Sequence, residues 1–147
     1  MSLHEQLTSS MKDAMRAKDK LRLGTIRMAL AAIKQREVDE RVELTDADII
    51  ALLTKMVKQR NDAASQFEDA GRMDLVESEK AEIEILKDFL PQALSDEELD
   101  ALIQQALDQT QAAGMQDMGK VMGWLKPKVQ GRADMGKLSG QIKAKLA

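Results

Sequence analysis

The sequence predicts an all-α protein: an N-terminal helical bundle or hairpin domain followed by a small C-terminal three-helix domain. Three observations carry this. Aromatic residues are almost absent, with Phe67, Phe89 and Trp124 the full set. The remaining apolar residues are mostly Leu, Ala, Ile and Met, which apart from Ile are good helix formers. They recur at helical spacing between helix-opening boxes and glycine stops. A chain of 147 residues suits one domain or two small ones.

The elements follow in order. Ser2-Leu3-His4-Glu5 has the spacing of a capping box. A first helix runs from there to about Lys18, with Leu3, Leu7, Met11, Ala14 and Met15 on one stripe. Asp19 opens a second helix, from Lys20 to about Arg41, whose Ile26, Leu30, Ile33 and Glu37 share a face. Its end, Lys34 to Arg41, is dense in mixed charge and reads as a solvated face. Thr45 and Asp48 form the box of a third helix, which Gly71 is placed to end. A fourth helix starts near Asp74 and reaches Leu90, before Pro91.

Helices three and four should form an antiparallel hairpin about Gly71-Arg72. Arg60 interrupts the apolar face of one and Glu79 that of the other. Their comparable distances from the turn predict an Arg60–Glu79 ion pair across the hairpin.

The domain boundary falls at Pro91 to Leu94, giving an N-terminal domain over 1–92 and a C-terminal domain over 95–147. Ser95-Asp96-Glu97-Glu98 opens a fifth helix, and Gly114 is placed to end it. Asp117 caps a sixth helix to about Val129, with Met118, Val121, Met122, Leu125 and Val129 as its apolar stripe. Pro127 should kink that helix or end it early. Gly131 is a stop, and Asp134 caps a seventh helix lined by Met135, Leu138, Ile142 and Leu146.

Charge is unevenly distributed. From Met118 onward the chain has seven Lys/Arg and one acid, Asp134, so the tail carries about +6. The first 117 residues carry about −9. A basic tail on an acidic body suits a polyanion. Lys120, Trp124 and Lys128 form a row beside the apolar stripe of the sixth helix. In such a row lysines can meet phosphates and a ring can stack on an unpaired base. For Trp124 itself the favoured reading is a roof over the small core. Gly119 with Gly123, and Gly136 with Gly140, repeat at four-residue spacing. Close approach of a neighbouring helix is the expected reason, and an RNA backbone is the alternative.

Catalytic signals are lacking. There is no P-loop, no dinucleotide fingerprint and no H-E-x-x-H. With no cysteine and a single histidine, His4, neither a thiolate metal site nor a Cys/His arrangement exists. No metal, cofactor or catalytic residue is therefore assigned. No apolar run suggests a membrane span, and no apolar signal core opens the chain, so a cytoplasmic protein is expected.

Four segments together resemble the YqeY family: RLGTIRMALAAIKQREVD (22–39), KMVKQRNDAASQFEDAGRMDL (55–75), FLP (89–91) and MGKVMGWLKPKVQGRADMG (118–136). The last is the most specific. The family comprises free-standing relatives of the C-terminal region of GatB, a subunit of the glutamine-dependent tRNA amidotransferase. The likeness to the GatB tail itself is narrower, covering Val121-Met122, Gly131, Ala133 and Asp134. The resemblance implies a helical N-terminal domain and a C-terminal three-helix domain, the counterpart of a tail that in GatB helps hold tRNA. It also brings a carbon–nitrogen ligase label, with glutamine as amide donor, although the kinase and amidase centres lie outside the part represented. The expected function is thus a non-catalytic tRNA- or RNA-binding accessory. Lys120, Lys126, Lys128, Arg132 and Lys137 would supply phosphate contacts and Trp124 a stack. The alternatives are an amidotransferase-related activity, alone or in a complex, and a protein adaptor acting through the acidic N-terminal domain.

Overall fold

A computed structural model describes all residues from Met1 to Ala147. The protein is all-helical: α1 (Leu3–Arg16), α2 (Lys20–Glu40), α3 (Asp46–Asp69), α4 (Met73–Lys87), α5 (Asp96–Thr110), α6 (Met118–Val129) and α7 (Met135–Leu146). A short 3-10 turn, Met115–Asp117, precedes α6. The chain divides into two compact units, Met1–Leu90 and Pro91–Ala147.

In the first unit, α3 and α4 form the antiparallel hairpin, and α1 and α2 pack beside it. Gly71 makes the turn at φ +74°, a conformation that favours glycine. Leu7, Ile26, Ile33, Ile49, Leu53 and Leu86 are essentially inaccessible to solvent and form the centre of the core. Polar side chains tie the helix ends together. Leu3 N donates to Asp46 Oδ1 at 3.0 Å, joining the start of α1 to that of α3. Arg22 donates to Asp88 at 2.8 Å and lies over the Phe89 ring, 5.7 Å from its centroid. The Arg22 and Phe89 motifs are therefore one clamp between α2 and the end of α4.

The capping box of α3 is complete. Asp48 N donates to Thr45 Oγ1 at 3.2 Å, and Thr45 N donates to Asp48 Oδ2 at 3.0 Å. The Thr45 amide holds the Asp48 carboxyl below its ordinary 3.8. A depressed carboxyl adds stability that is present above pH 3.8 and is lost as pH falls through the lower folded value. Asp48→Asn should therefore flatten the acid limb of a stability–pH curve below about pH 4. Thr45→Ala should cost about 1 kcal/mol at neutral pH, read by urea denaturation.

Two expectations are corrected and two are refined. Arg60 pairs with Glu82, not Glu79: Arg60 Nε donates to Glu82 Oε2 at 3.0 Å. Counting equal steps outward from Gly71 leads from Arg60 to Glu82, whereas Glu79 lies nearly one turn too close. Arg60 is the one buried charged residue, and its guanidinium also meets the Met56 carbonyl and the Met28 sulfur. Next, α5 ends at Thr110, because Gln111 takes the left-handed conformation (φ 52°) expected at Gly114. The Lys34–Arg41 segment is largely the expected solvated face with i,i+4 pairs, Gln35–Asp39 and Arg36–Glu40. Glu37 alone departs from it, its Oε2 accepting from Leu44 N at 2.9 Å and securing the loop into α3. Finally, α6 reaches Val129 as its apolar stripe predicts, and Pro127 does not end it early. The missing proline N–H leaves the Gly123 carbonyl without its helical donor, and Gly123 lies on the exposed side, where water can serve.

The second unit packs α5, α6 and α7 around Ile103, Ala106, Val121, Leu125, Val129, Leu138 and Ile142, all fully buried. Asp134 caps α7 by accepting from Gly136 N at 2.8 Å.

Candidate nucleic-acid interface

The sixth helix places its side chains by simple periodicity. Val121, Leu125 and Val129 bury one side. On the opposite side an exposed arc runs from Lys126 across Gly119, Gly123 and Pro127 to Lys120, and exposed Lys128 lies farther round, beyond Trp124 and beside the buried stripe. This arc contains no carboxylate. Lys120, Lys126 and Lys128 form no salt bridge. A Cβ placed at Gly119, Gly123 or Gly140 would meet nothing within 4 Å. The expected close approach of a neighbouring helix is therefore wrong. These glycines leave bare backbone facing solvent.

Trp124 is half-buried against the second core, as the roof reading had it. Lys128 Nζ sits 4.0 Å from the centroid of its ring. One face of the indole is thus occupied by the protein's own cation, and the ring is not a free platform for a base. The contact instead restrains the Lys128 head group.

The other expected phosphate contacts are partly engaged. Arg132 is half-buried: its Nε donates to the Gln92 carbonyl at 3.0 Å, and its own carbonyl accepts from Leu94 N at 2.9 Å. It ties the Pro91–Leu94 segment to the turn between α6 and α7. Sequence periodicity could not reveal this, because the acceptors are loop backbone. Lys137 is exposed and 3.8 Å from Asp96 Oδ1, a weak surface pair. Lys143 and Lys145, on the last turn of α7, are exposed and unpaired.

Asp117 stands at the N-terminus of α6, but its carboxylate does not cap that helix. It accepts backward from Ala113 N at 2.8 Å and weakly from Gly114 N at 3.4 Å. The Ala113 amide, aided by Gly114 and by the charge of Lys120, holds its carboxyl below 3.8. Asp74 is lowered in the same direction by Arg72. These depressed carboxyls and that of Asp48 serve local turns and caps, and none is poised for proton transfer near neutral pH.

In the first unit a groove of about 700 Å³ is lined by His4, Lys34, Glu37, Val38, Arg41 and neighbouring residues. Glu37 there is already committed to the Leu44 amide. No group of three His, Cys, Asp or Glu side chains is placed to hold a metal ion. No helix is long and apolar enough to cross a membrane.

Comparison with known proteins gives the family. The profile described as Yqey-like protein matches residues 4–146. The chain belongs to the YqeY family. Among curated relatives, the protein named altered inheritance of mitochondria protein 41, mitochondrial, from Lachancea thermotolerans is 36% identical over 125 residues, 80% of this chain and 67% of the relative. Its namesake from Pyrenophora tritici-repentis is 32% identical over 86% of this chain and 71% of the relative. That from Kluyveromyces lactis is 41% identical over 69% of this chain but only 56% of the relative. The matched part is thus roughly half to two-thirds of these longer proteins. Their mitochondrial names overturn the cytoplasmic expectation. That expectation rested on absent export and membrane signals, which do not choose among intracellular compartments.

Proposed function

We propose that this YqeY-family protein is a non-catalytic RNA-binding accessory, with tRNA as the first candidate ligand, and that α6 carries the contact. The observation behind this is the acid-free face of α6, where Lys120 and Lys126, without salt-bridge partners, border backbone bared by Gly119 and Gly123, and Lys128 stands beyond them on Trp124. Lysines in this setting release counterions when they meet phosphates. Bare glycine backbone lets a sugar–phosphate chain come close. Lys120, Lys126 and Lys128 are the main phosphate contacts, with Lys143 and Lys145 extending the basic surface. Lys137 contributes once it leaves Asp96. Arg132 positions the turn, and its remaining guanidinium nitrogens are available for phosphate. Trp124 acts by holding Lys128. For location, the relatives' names support a mitochondrial setting.

An amidotransferase-related activity has no comparable support, since the carboxyls with shifted pKa are bound up in caps and turns.

The glycines provide a test that separates binding from folding. Gly123 lies in the interior of α6 and Gly119 in its first turn, both with open space around an added methyl group. Gly123→Ala should stabilise the fold by about 0.5–1 kcal/mol and Gly119→Ala by less. On the proposed reading the pair should also weaken tRNA binding by about 10-fold, a factor worth 1.4 kcal/mol. Thermal melts and fluorescence anisotropy with labelled tRNA give the two readings. Higher stability with unchanged tRNA affinity would remove the glycine face from the interface.

A further inference from the structure

The second helix has two apolar faces, and only one is used. Thr25, Ile26, Ala29 and Ile33 enter the core. On the opposite side lie Leu21, Gly24, Met28, Ala31, Gln35 and Val38, every one of them exposed. Their spacing alternates three and four residues through the helix, which is the a/d pattern of a helix-docking seam. Leu21 is 46%, Met28 47% and Val38 60% exposed, so the seam is largely open, with the Met28 sulfur at its edge also meeting Arg60. A helix with apolar residues on both sides ordinarily has neighbours on both.

A second regularity flanks the first. Lys20, Arg27, Lys34 and Arg41 are seven residues apart and occupy the g position before each a residue, with Arg41 just past the last turn. They stand about 10.5 Å apart along the axis. All four are exposed, and none has a salt-bridge partner, whereas Arg22 and Arg36 on the same helix do. On a unit rich in acids, four cations left unpaired in register with an apolar seam form a distinct surface.

We propose that this face of α2 docks an acidic amphipathic helix of a partner protein. The apolar a/d residues supply contact area, and the g-position cations meet Glu or Asp on the incoming helix. A second copy of α2 does not fit. Antiparallel seams would set the two cation rows against each other. Parallel seams would set them opposite Thr25, Ala32 and Asp39, of which only the last is acidic. RNA would satisfy the cations but has no use for Leu21, Met28 and Val38 at a and d positions. The proposal does not depend on the RNA reading of α6.

The test uses the full chain and two synthetic helical peptides of about four heptads, both with Leu at a and d. One carries Glu at e and g, the other Lys. Anisotropy should show the Glu peptide binding at least 10-fold more tightly. Arg27→Glu with Lys34→Glu should reverse that preference, and Leu21→Ser should weaken Glu-peptide binding about 10-fold. Melting curves of each variant separate lost docking from lost folding. Arg27→Gln with Lys34→Gln, which should abolish the preference, replaces the reversal variant if that fails to fold. Equal binding of both peptides, or binding of neither, overturns the proposal. So does a dimer of the protein that Leu21→Ser dissociates. Loss of tRNA binding on Arg27/Lys34 reversal, with no peptide preference in the parent, would assign the stripe to nucleic acid instead. Loss of tRNA binding only on α6 substitution would leave the present proposal standing.

Discussion

Glu82→Leu is expected to destabilise the first unit by about 3 kcal/mol. It leaves the buried Arg60 guanidinium facing only the Met56 carbonyl and the Met28 sulfur. Arg60→Met should cost less, about 2 kcal/mol, because the Glu82 side chain retains 23% exposure and can turn towards water. The double variant replaces the pair by apolar side chains and should lose less than the sum of the two, with a coupling of about 2 kcal/mol. Glu79→Leu should change stability by no more than about 0.5 kcal/mol. Urea denaturation of the four proteins measures all of this. Additive losses from Arg60→Met and Glu82→Leu would show that the contact is geometric only.

Leu125→Ala should cost about 3 kcal/mol, since Leu125 is fully buried at the centre of the second core and its loss leaves a cavity. A unit as short as Pro91–Ala147 has little stability to spare. Amides of α5, α6 and α7 should therefore lose most of their hydrogen-exchange protection near 37 °C. Protection in α6 equal to that of the parent would contradict the packing described for Val121, Leu125 and Val129.

The seven helices were legible because each buries a 3.6-period stripe and most begin with a residue whose side chain accepts from the first turn. Ser2, Asp19, Thr45, Ser95 and Asp134 all do so. What was not legible depends on long-range placement. Glu37 shares a helix face with Ile33 in the sequence, but the amide it accepts from, Leu44 N, belongs to a loop whose path periodicity does not give. Arg132 looked like a free cation, but a loop carbonyl claims its Nε. The choice between Glu79 and Glu82 turned on three residues, which periodicity cannot resolve in a hairpin whose loop register is unknown. Gln111 displaced Gly114 as the end of α5 because a non-glycine residue took the left-handed conformation. The lysines of α6 were legible as a group, from charge segregation. That Gly119 and Gly123 face solvent required the packing, because four-residue glycine spacing serves a helix contact equally well. The α2 seam could have been read from its heptads, but the core stripe on the same helix masked it.

The most direct measurement of the central claim is tRNA affinity of the full chain across salt, beside a Lys120/Lys126/Lys128→Ala variant. The account predicts that log affinity falls with log salt at a slope of about −2 to −4, corresponding to roughly three to five phosphate contacts. It predicts a slope shallower by about 2–3 in the variant, with weaker binding throughout. No binding at low salt, or the same slope in both proteins, would contradict it.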